Sequence, residues 1–345
     1  MKVNLPIIHP PIDNVARNAY LLASVLHNKD FEPWFFNNYI QIFSDEGFYI
    51  DFDLPGYSDP RCIQWMNFTH IQRDFLVKLD LKIEEFIMKG IMEGYYIHLF
   101  LDEYFIPSSE FFQERNFPHN ILIHGFDSEK GIFHIAGFFG TQGKFVYNES
   151  ITQQELVDSF KSVDPQEDDL NGLILFKATP KNTVHANRYA NFYGFNIQFV
   201  ADTIKDYLHS RQNMDYVNAN HRDVNQSTRT FGIAVTESLE RYLDLLLTGE
   251  RKLGRRTFYT LHQHKVTMLS RIKFMKQNNY IKSDADYIID RYSNITKITK
   301  NIENIMIKFM LTQDRDLIGS AKSKIRELVK EEKQVLHYLL TQLNI

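Results

Sequence analysis

The stretch Tyr95-Tyr-Ile-His-Leu-Phe-Leu-Asp-Glu-Tyr-Phe-Ile-Pro107, followed by Phe117-Pro-His-Asn-Ile-Leu-Ile-His-Gly-Phe-Asp127 and Gly131-Ile-Phe-His-Ile-Ala-Gly-Phe138, decides how the first half of this chain is read. Its three apolar runs are each a strand's length and are separated by turn chemistry. The first, Tyr95 to Leu101, follows Gly94 and ends at Asp102. The second, Asn120 to His124, is closed by Gly125-Phe126-Asp127. The third, Ile132 to Ile135, follows a Ser-Glu-Lys-Gly turn. Ser108 after Pro107 reads as the cap of a short helix reaching Arg115. A histidine at the start of a strand, His119, sits at the end of a sheet, where a base can face a helix N-terminus.

Outward from this core the pattern is mixed. Asn14 to Leu26, rich in Ala and Leu, predicts a helix with Asp13 or Asn14 as its cap. Asn38 to Phe43 and Phe48 to Phe52 read as strands, and Leu54 to Pro60 as a turn. Phe75, Leu79, Ile83, Phe86 and Ile87 recur at helical spacing, which predicts one long helix from about Thr69 to Met92. Leu173 to Lys177 is a further strand, preceded by an acidic surface loop from Val163 to Asn171.

Beyond Gly194 the periodicity is helical almost without break. Val235, Leu239, Leu243 and Leu246 share a face. Phe258, Leu261, Met268, Ile272 and Met275 do the same, interrupted by the polar Lys265, as do Ile325, Leu328, Leu336, Leu339 and Leu343. Such stripes are packing surfaces. The expectation is an α+β chain, with an α/β domain over residues 1–180 and a helical bundle or lid over 195–345.

Composition bounds the function. The 345 residues carry 39 basic and 43 acidic side chains, a formal charge of −4, with 43% hydrophobic residues and 28 Phe and 18 Tyr. That balance leaves no electrostatic footprint for nucleic acid or an anionic membrane. No apolar run approaches the roughly 20 residues of a membrane span, and no secretory leader is recognisable. A single cysteine, Cys62, excludes an internal disulfide and any multi-cysteine metal site. These features point to the cytoplasm. Phosphate loops, His-Glu-x-x-His helices and Gly-x-Ser-x-Gly elbows are absent. His262 and His264, two apart, fall on different faces of a helix and make a poor metal pair.

Several motifs carry a resemblance. His119-x-x-x-x-x-Gly125-Phe126-Asp127 resembles the histidine strand of bacterial papain-like enzymes, among them bacteriocin-processing peptidases and the N-terminal domain of butirosin-pathway acyltransferases. Asp102-Glu-Tyr-Phe-Ile-Pro107 resembles the Asp-x-Tyr-Tyr-Leu-Pro element of that second group. Glu32 to Gln41, and Arg256 to Lys265 with Met268 and Arg271-Ile272, resemble segments of related proteins from nonribosomal-peptide clusters. A narrower similarity is to the amide-forming enzymes of closthioamide-type assembly.

The resemblance implies a papain-like cysteine-peptidase fold and no bound cofactor. It implies a substrate presented on the phosphopantetheine arm of an acyl or peptidyl carrier protein. A cysteine thiolate kept ionised by a histidine would take the acyl chain and pass it to a small amine or diamine. A peptidase or thioesterase would use the same residues with water, and a non-catalytic relative would only hold a carrier or peptide.

The nucleophile expected near residues 14 to 16 is not a cysteine. Ala19, matched to a small residue of the pattern, points to Ala16 or Val15, with Ala16 favoured; Asn14 is either an oxyanion donor or a helix cap. An engineered Cys→Ala form, a natural non-catalytic protein and a different nucleophile, Cys62 beside Arg61, are the three readings. The strand after the histidine strand carries Ala136-Gly137 where papain-like triads hold Asp or Asn. Asp102 is therefore the preferred third member, and Asp127 the alternative.

Overall fold

The computed structural model describes residues 1–54, 63, 65–140, 143–164, 170–179, 181, 193–212 and 228–345. It is an α+β protein whose main sheet is antiparallel throughout. The chain divides into two compact units. One comprises Met1–Phe31 with Asp59–Tyr193, the other Glu32–Ser58 with Gly194–Ile345. A two-part chain was expected, but the early segment from Glu32 belongs with the helical half rather than with its sequence neighbours.

The first unit holds a seven-stranded sheet. Strands β4 (Met66–Gln72), β9 (Gly172–Ala178), β5 (Tyr96–Asp102), β6 (Pro118–Asp127), β7 (Ile132–Phe139) and β8 (Lys144–Thr152) lie in that order, and β1 (Lys2–Asn4) pairs with the end of β6. The three strands read from residues 95 to 138 are all present.

One sheet face is packed by α4 (Ile83–Met92) and α5 (Gln153–Ser162). There Ile87, Ile91, Leu156 and Phe160 join Leu99, Leu101, Ile121, Ile123 and Ile135 in a continuous apolar core. The other face meets α1 (Ala16–Val25), whose Tyr20 ring lies edge-on to His98 at 5.2 Å and near Phe138 and Phe145. Residues directly opposite on paired strands share a face and neighbours along a strand alternate, so the two sets follow from the register alone.

Four expectations need correction. The long helix over 69–92 is a strand and two helices, β4, α3 (Arg73–Lys78) and α4, broken at Asp80 with φ of 52°. Phe75 and Leu79, part of the supposed apolar stripe, are 54% and 51% exposed. Residues 108–115 form turns, and the only helical turn nearby is the 3-10 turn Glu103–Phe105. The cap of α1 is Val15, which supplies no side-chain hydrogen bond, so neither Asp13 nor Asn14 fills that role. Residues 38–43 close the helix α2 (Glu32–Asn38) before β2 (Ile42–Ser44), and only the later strand β3 (Ile50–Phe52) falls within its expected run.

The second unit is built from α6 (Ile197–Leu208), α7 (Ile233–Thr248), α8 (Arg255–Gln277), α9 (Ala285–Thr312) and α10 (Asp316–Thr341), with a small sheet of β10 (Thr230–Phe231), β2 and β3. Lys265, the polar interruption in the α8 stripe, is fully buried against Glu332 of α10 at 2.8 Å. Tyr207 and Tyr292 both donate to the same carboxylate, at 3.0 and 2.6 Å. A buried ammonium needs this partnership, because desolvation alone pushes Lys265 towards its neutral form. No helix among the described residues is long and apolar enough to cross a membrane.

Candidate active site

His119 opens β6 opposite Leu101 of β5. Its Nδ1 lies 2.6 Å from Oε1 of Glu103, which stands just past the end of β5 and is 2% exposed. The second Glu103 oxygen accepts from the Ser109 hydroxyl, itself 8% exposed. Ser109 in turn accepts from the Phe111 amide at 3.0 Å, so the turn after Pro107 exists to hold that hydroxyl in place. With Nδ1 committed to a carboxylate, the imidazole has a fixed ring orientation and keeps Nε2 available for proton transfer. The side chain is 26% exposed. Phe117 packs beside it with ring centroids 5.5 Å apart and planes inclined by 47°, with Phe111 against Phe117 and Arg115 over the Phe111 ring.

The carboxylate that orients His119 is thus Glu103, not Asp102. Asp102 is wholly buried and saturated with donors: the Tyr104 and Phe117 amides, Asn116 at 2.5 Å and Ser162 at 2.6 Å. Burial would raise its pKa, but those donors outweigh it and hold the carboxyl below the usual range. Asp102 caps the turn after β5 and ties it to α5. Asp127 lies at the far end of β6, where Oδ1 accepts from the amides of Glu129 and Lys130. Eight residues of strand separate it from His119, roughly 26 Å, so it forms the turn and has no part in the site.

Ala16 begins α1, and the helix reaches β6 through Tyr20, whose hydroxyl donates to the Asn120 carbonyl at 2.5 Å. Asn120 bonds His98 at 2.8 Å on the α1 face, whereas His119 shares the opposite face with Leu101, Ile121 and Ile123. The side chains of His98 and His119 thus leave β5 and β6 on opposite faces. The sides are still within electrostatic range: burial first, then the Glu103 carboxylate, keep the Tyr20 phenol protonated. Asn14 accepts from Asn18 at 2.9 Å within the same segment. Cys62 lies outside the described residues. Among the described residues no Cys, Ser or Thr hydrogen-bonds to His119.

The histidines of α8 separate as their spacing predicts, His262 to Thr299 at 3.0 Å and His264 to the Ile40 carbonyl at 2.7 Å. Among the described residues no cluster of three His, Cys, Asp or Glu is arranged for a metal.

No protein-family model matches the chain, and no curated protein sequence matches it.

Proposed function

We propose that the chain transfers an acyl or peptidyl group from a carrier-protein thioester to an amine, with His119 as general base and Glu103 as its orienting carboxylate. One observation carries this reading: a partly exposed imidazole, its Nδ1 held at 2.6 Å by a buried carboxylate, with the remaining carboxylate oxygen also bonded. That is the arrangement of a base prepared to accept a proton at Nε2. The motifs around Asp102–Pro107 and His119–Asp127 support the substrate class by resemblance. They likewise support a papain-like reading of the sheet unit.

The chemistry proposed does not pass through an enzyme thioester. The amine attacks the thioester carbonyl directly, its proton passes to His119 Nε2, and the pantetheine thiol leaves after taking that proton back. Alanine at position 16, which carries no nucleophile, favours this direct route over a covalent one. It also favours a second reading, a non-catalytic protein that binds a carrier or peptide. Water in place of the amine would make the same site a thioesterase.

The test uses the full chain with an acyl-pantetheine thioester and a panel of primary amines and diamines, following thiol release and amide mass. Amide formation is expected, falling at least about 100-fold in His119→Ala, within the usual contribution of a general base. Glu103→Gln is expected to lose a comparable factor, because an amide can hold the wrong ring tautomer. Free acid in every reaction would establish a hydrolase. No thiol release, with carrier binding unchanged in His119→Ala, would leave only the binding protein.

A further inference from the structure

The far half of β6 breaks register. Ile123 pairs with Ile135 of β7, but Gly125 pairs with His134, leaving His124 as an extra residue. Such a bulge bends the strand and re-aims the side chain it carries. Gly125 makes room for it: a Cβ there would lie 2.7 Å from Asn4 Oδ1 and 2.8 Å from the Val3 carbonyl. Asn4 of β1 can therefore reach across and meet His124 Nδ1 at 3.0 Å. An amide oxygen only accepts, so Nδ1 bears the proton and Nε2 is left as a bare lone pair.

His134 brings a second imidazole from β7. The ring centroids are 6.2 Å apart and the planes are inclined by 29°. The Nε2 atoms of both rings are buried and make no hydrogen bond, and His124 is only 3% exposed. Both line a cavity of about 480 Å³ walled further by Asn4, Tyr147, Asn148 and Glu149. His98, two strands away, shows the ordinary fate of a buried histidine, with Nε2 satisfied by Asn120 at 2.8 Å.

We propose that His124 and His134 bind one d10 transition-metal ion, Cu(I) or Zn(II), through their two Nε2 atoms at this cavity. Imidazole nitrogen suits both ions. A metal–nitrogen bond of about 2 Å sets each ring centroid about 3 Å from the ion, so rings sharing one ion have centroids up to about 6 Å apart. At 6.2 Å the rings stand at the outer limit of that range, so only a wide nitrogen–metal–nitrogen angle, as two-coordinate Cu(I) adopts, bridges them without movement; tetrahedral Zn(II) needs the rings to close by roughly 1 Å. No third protein ligand completes a cluster among the described residues, so further positions fall to water or a small ligand entering the cavity. Glu149 on the wall supplies negative charge.

Asn4 acts as the outer partner that fixes the tautomer of a ligating histidine. Burial first, and then the neighbouring His134, push His124 down to about 4, against opposing backbone contacts from Tyr147, Ile135 and Leu5. Burial first, then Lys2 and Lys130 against the opposing Asp127, also lower His134. His124 is five residues from His119 along β6, roughly 16 Å, so this site is separate from the proposed base.

The test uses untagged, chelator-stripped full chain, titrated with Zn(II) and, under reductant, with Cu(I) delivered from a competing chelator. Bound metal is counted after desalting, and histidine Nε2 resonances are followed by 15N NMR. One equivalent of at least one ion is expected, with the Nε2 signals of two histidines shifted. His134→Gln is expected to weaken binding at least tenfold, while the exposed His337→Gln leaves it unchanged. His124→Gln sits at the bulge and risks the fold, so His134→Gln and the NMR signature decide. The proposal fails if neither ion is retained, if His134→Gln binds as tightly as the parent chain, or if no histidine Nε2 signal moves.

Discussion

His98 and His124 are held neutral by burial, each pushed down to about 4, in His98 against the opposing hydrogen bond from Asn120. An unfolded histidine titrates near ~6.5. Between those values the unfolded chain binds protons that the folded chain refuses, so stability is complete above about pH 6.5 and falls as the pH drops toward 4. Each histidine contributes at most about 3 kcal/mol to that loss, as an order of magnitude. Urea denaturation is therefore expected to show a midpoint that falls steeply from pH 7 to pH 5. The fall should be shallower in His98→Gln; an unchanged pH slope in that variant would contradict the assignment. At this scale the sequence was only half readable. His119 stood out as a strand-opening histidine, but the choice between Asp102 and Glu103 needed the strand register. Once His119 is set opposite Leu101, parity puts Glu103, two residues on, on the same face. Without the register, Asp102 at the strand end was the more obvious candidate.

Among the elements, α7 depends on how it begins. Gly232 precedes it with φ of 61°, and a Cβ at that position would lie 2.2 Å from the Tyr207 carbonyl. Both a left-handed backbone and a backbone clash oppose any side chain there. Gly232→Ala is expected to destabilise the helical unit by about 3 kcal/mol or more, read as a lowered thermal midpoint. Gly249→Ala, at φ of 77° but with open space around it, should cost about 1 kcal/mol. Equal effects would show that the Tyr207 contact is unimportant. The helices from α7 to α10 were legible because each buries a continuous stripe. The segment 69–92 was not, because Phe75 and Leu79 mimic a stripe while facing solvent, and β4 is specified by its partner β9 a hundred residues later. Lys265 likewise looked like a flaw in α8 until Glu332 arrived from α10, a pairing no local pattern can reveal.

On the scale of the whole chain, the path alternates between units: residues 1–31 build the first, 32–58 the second, 59–193 the first again, and the remainder the second. Within the second unit the inserted segment is held by side chains far along the sequence. Arg271, fully buried, donates to the Phe36 and Tyr39 carbonyls at 2.7 Å each, His264 meets the Ile40 carbonyl, and Thr257 donates to the Phe48 carbonyl at 2.9 Å. Strand β2 pairs with β10 as well as with β3. Phe35, Tyr39, Ile40, Ile42, Ile50 and Phe52 are all buried there, and exposing each forfeits about 1.5–3 kcal/mol of apolar burial. A fragment ending at Tyr193 keeps every strand of the large sheet but strips 32–58 of these partners. Such a fragment is expected to bind a hydrophobic dye and aggregate, although its sheet is complete. Replacing residues 32–58 by a flexible Gly/Ser linker in the same fragment is expected to restore a monomer with β-rich circular dichroism. If the unmodified fragment is instead monomeric and dye-silent, the segment does not depend on the helical unit, and the two-unit division of the chain is wrong.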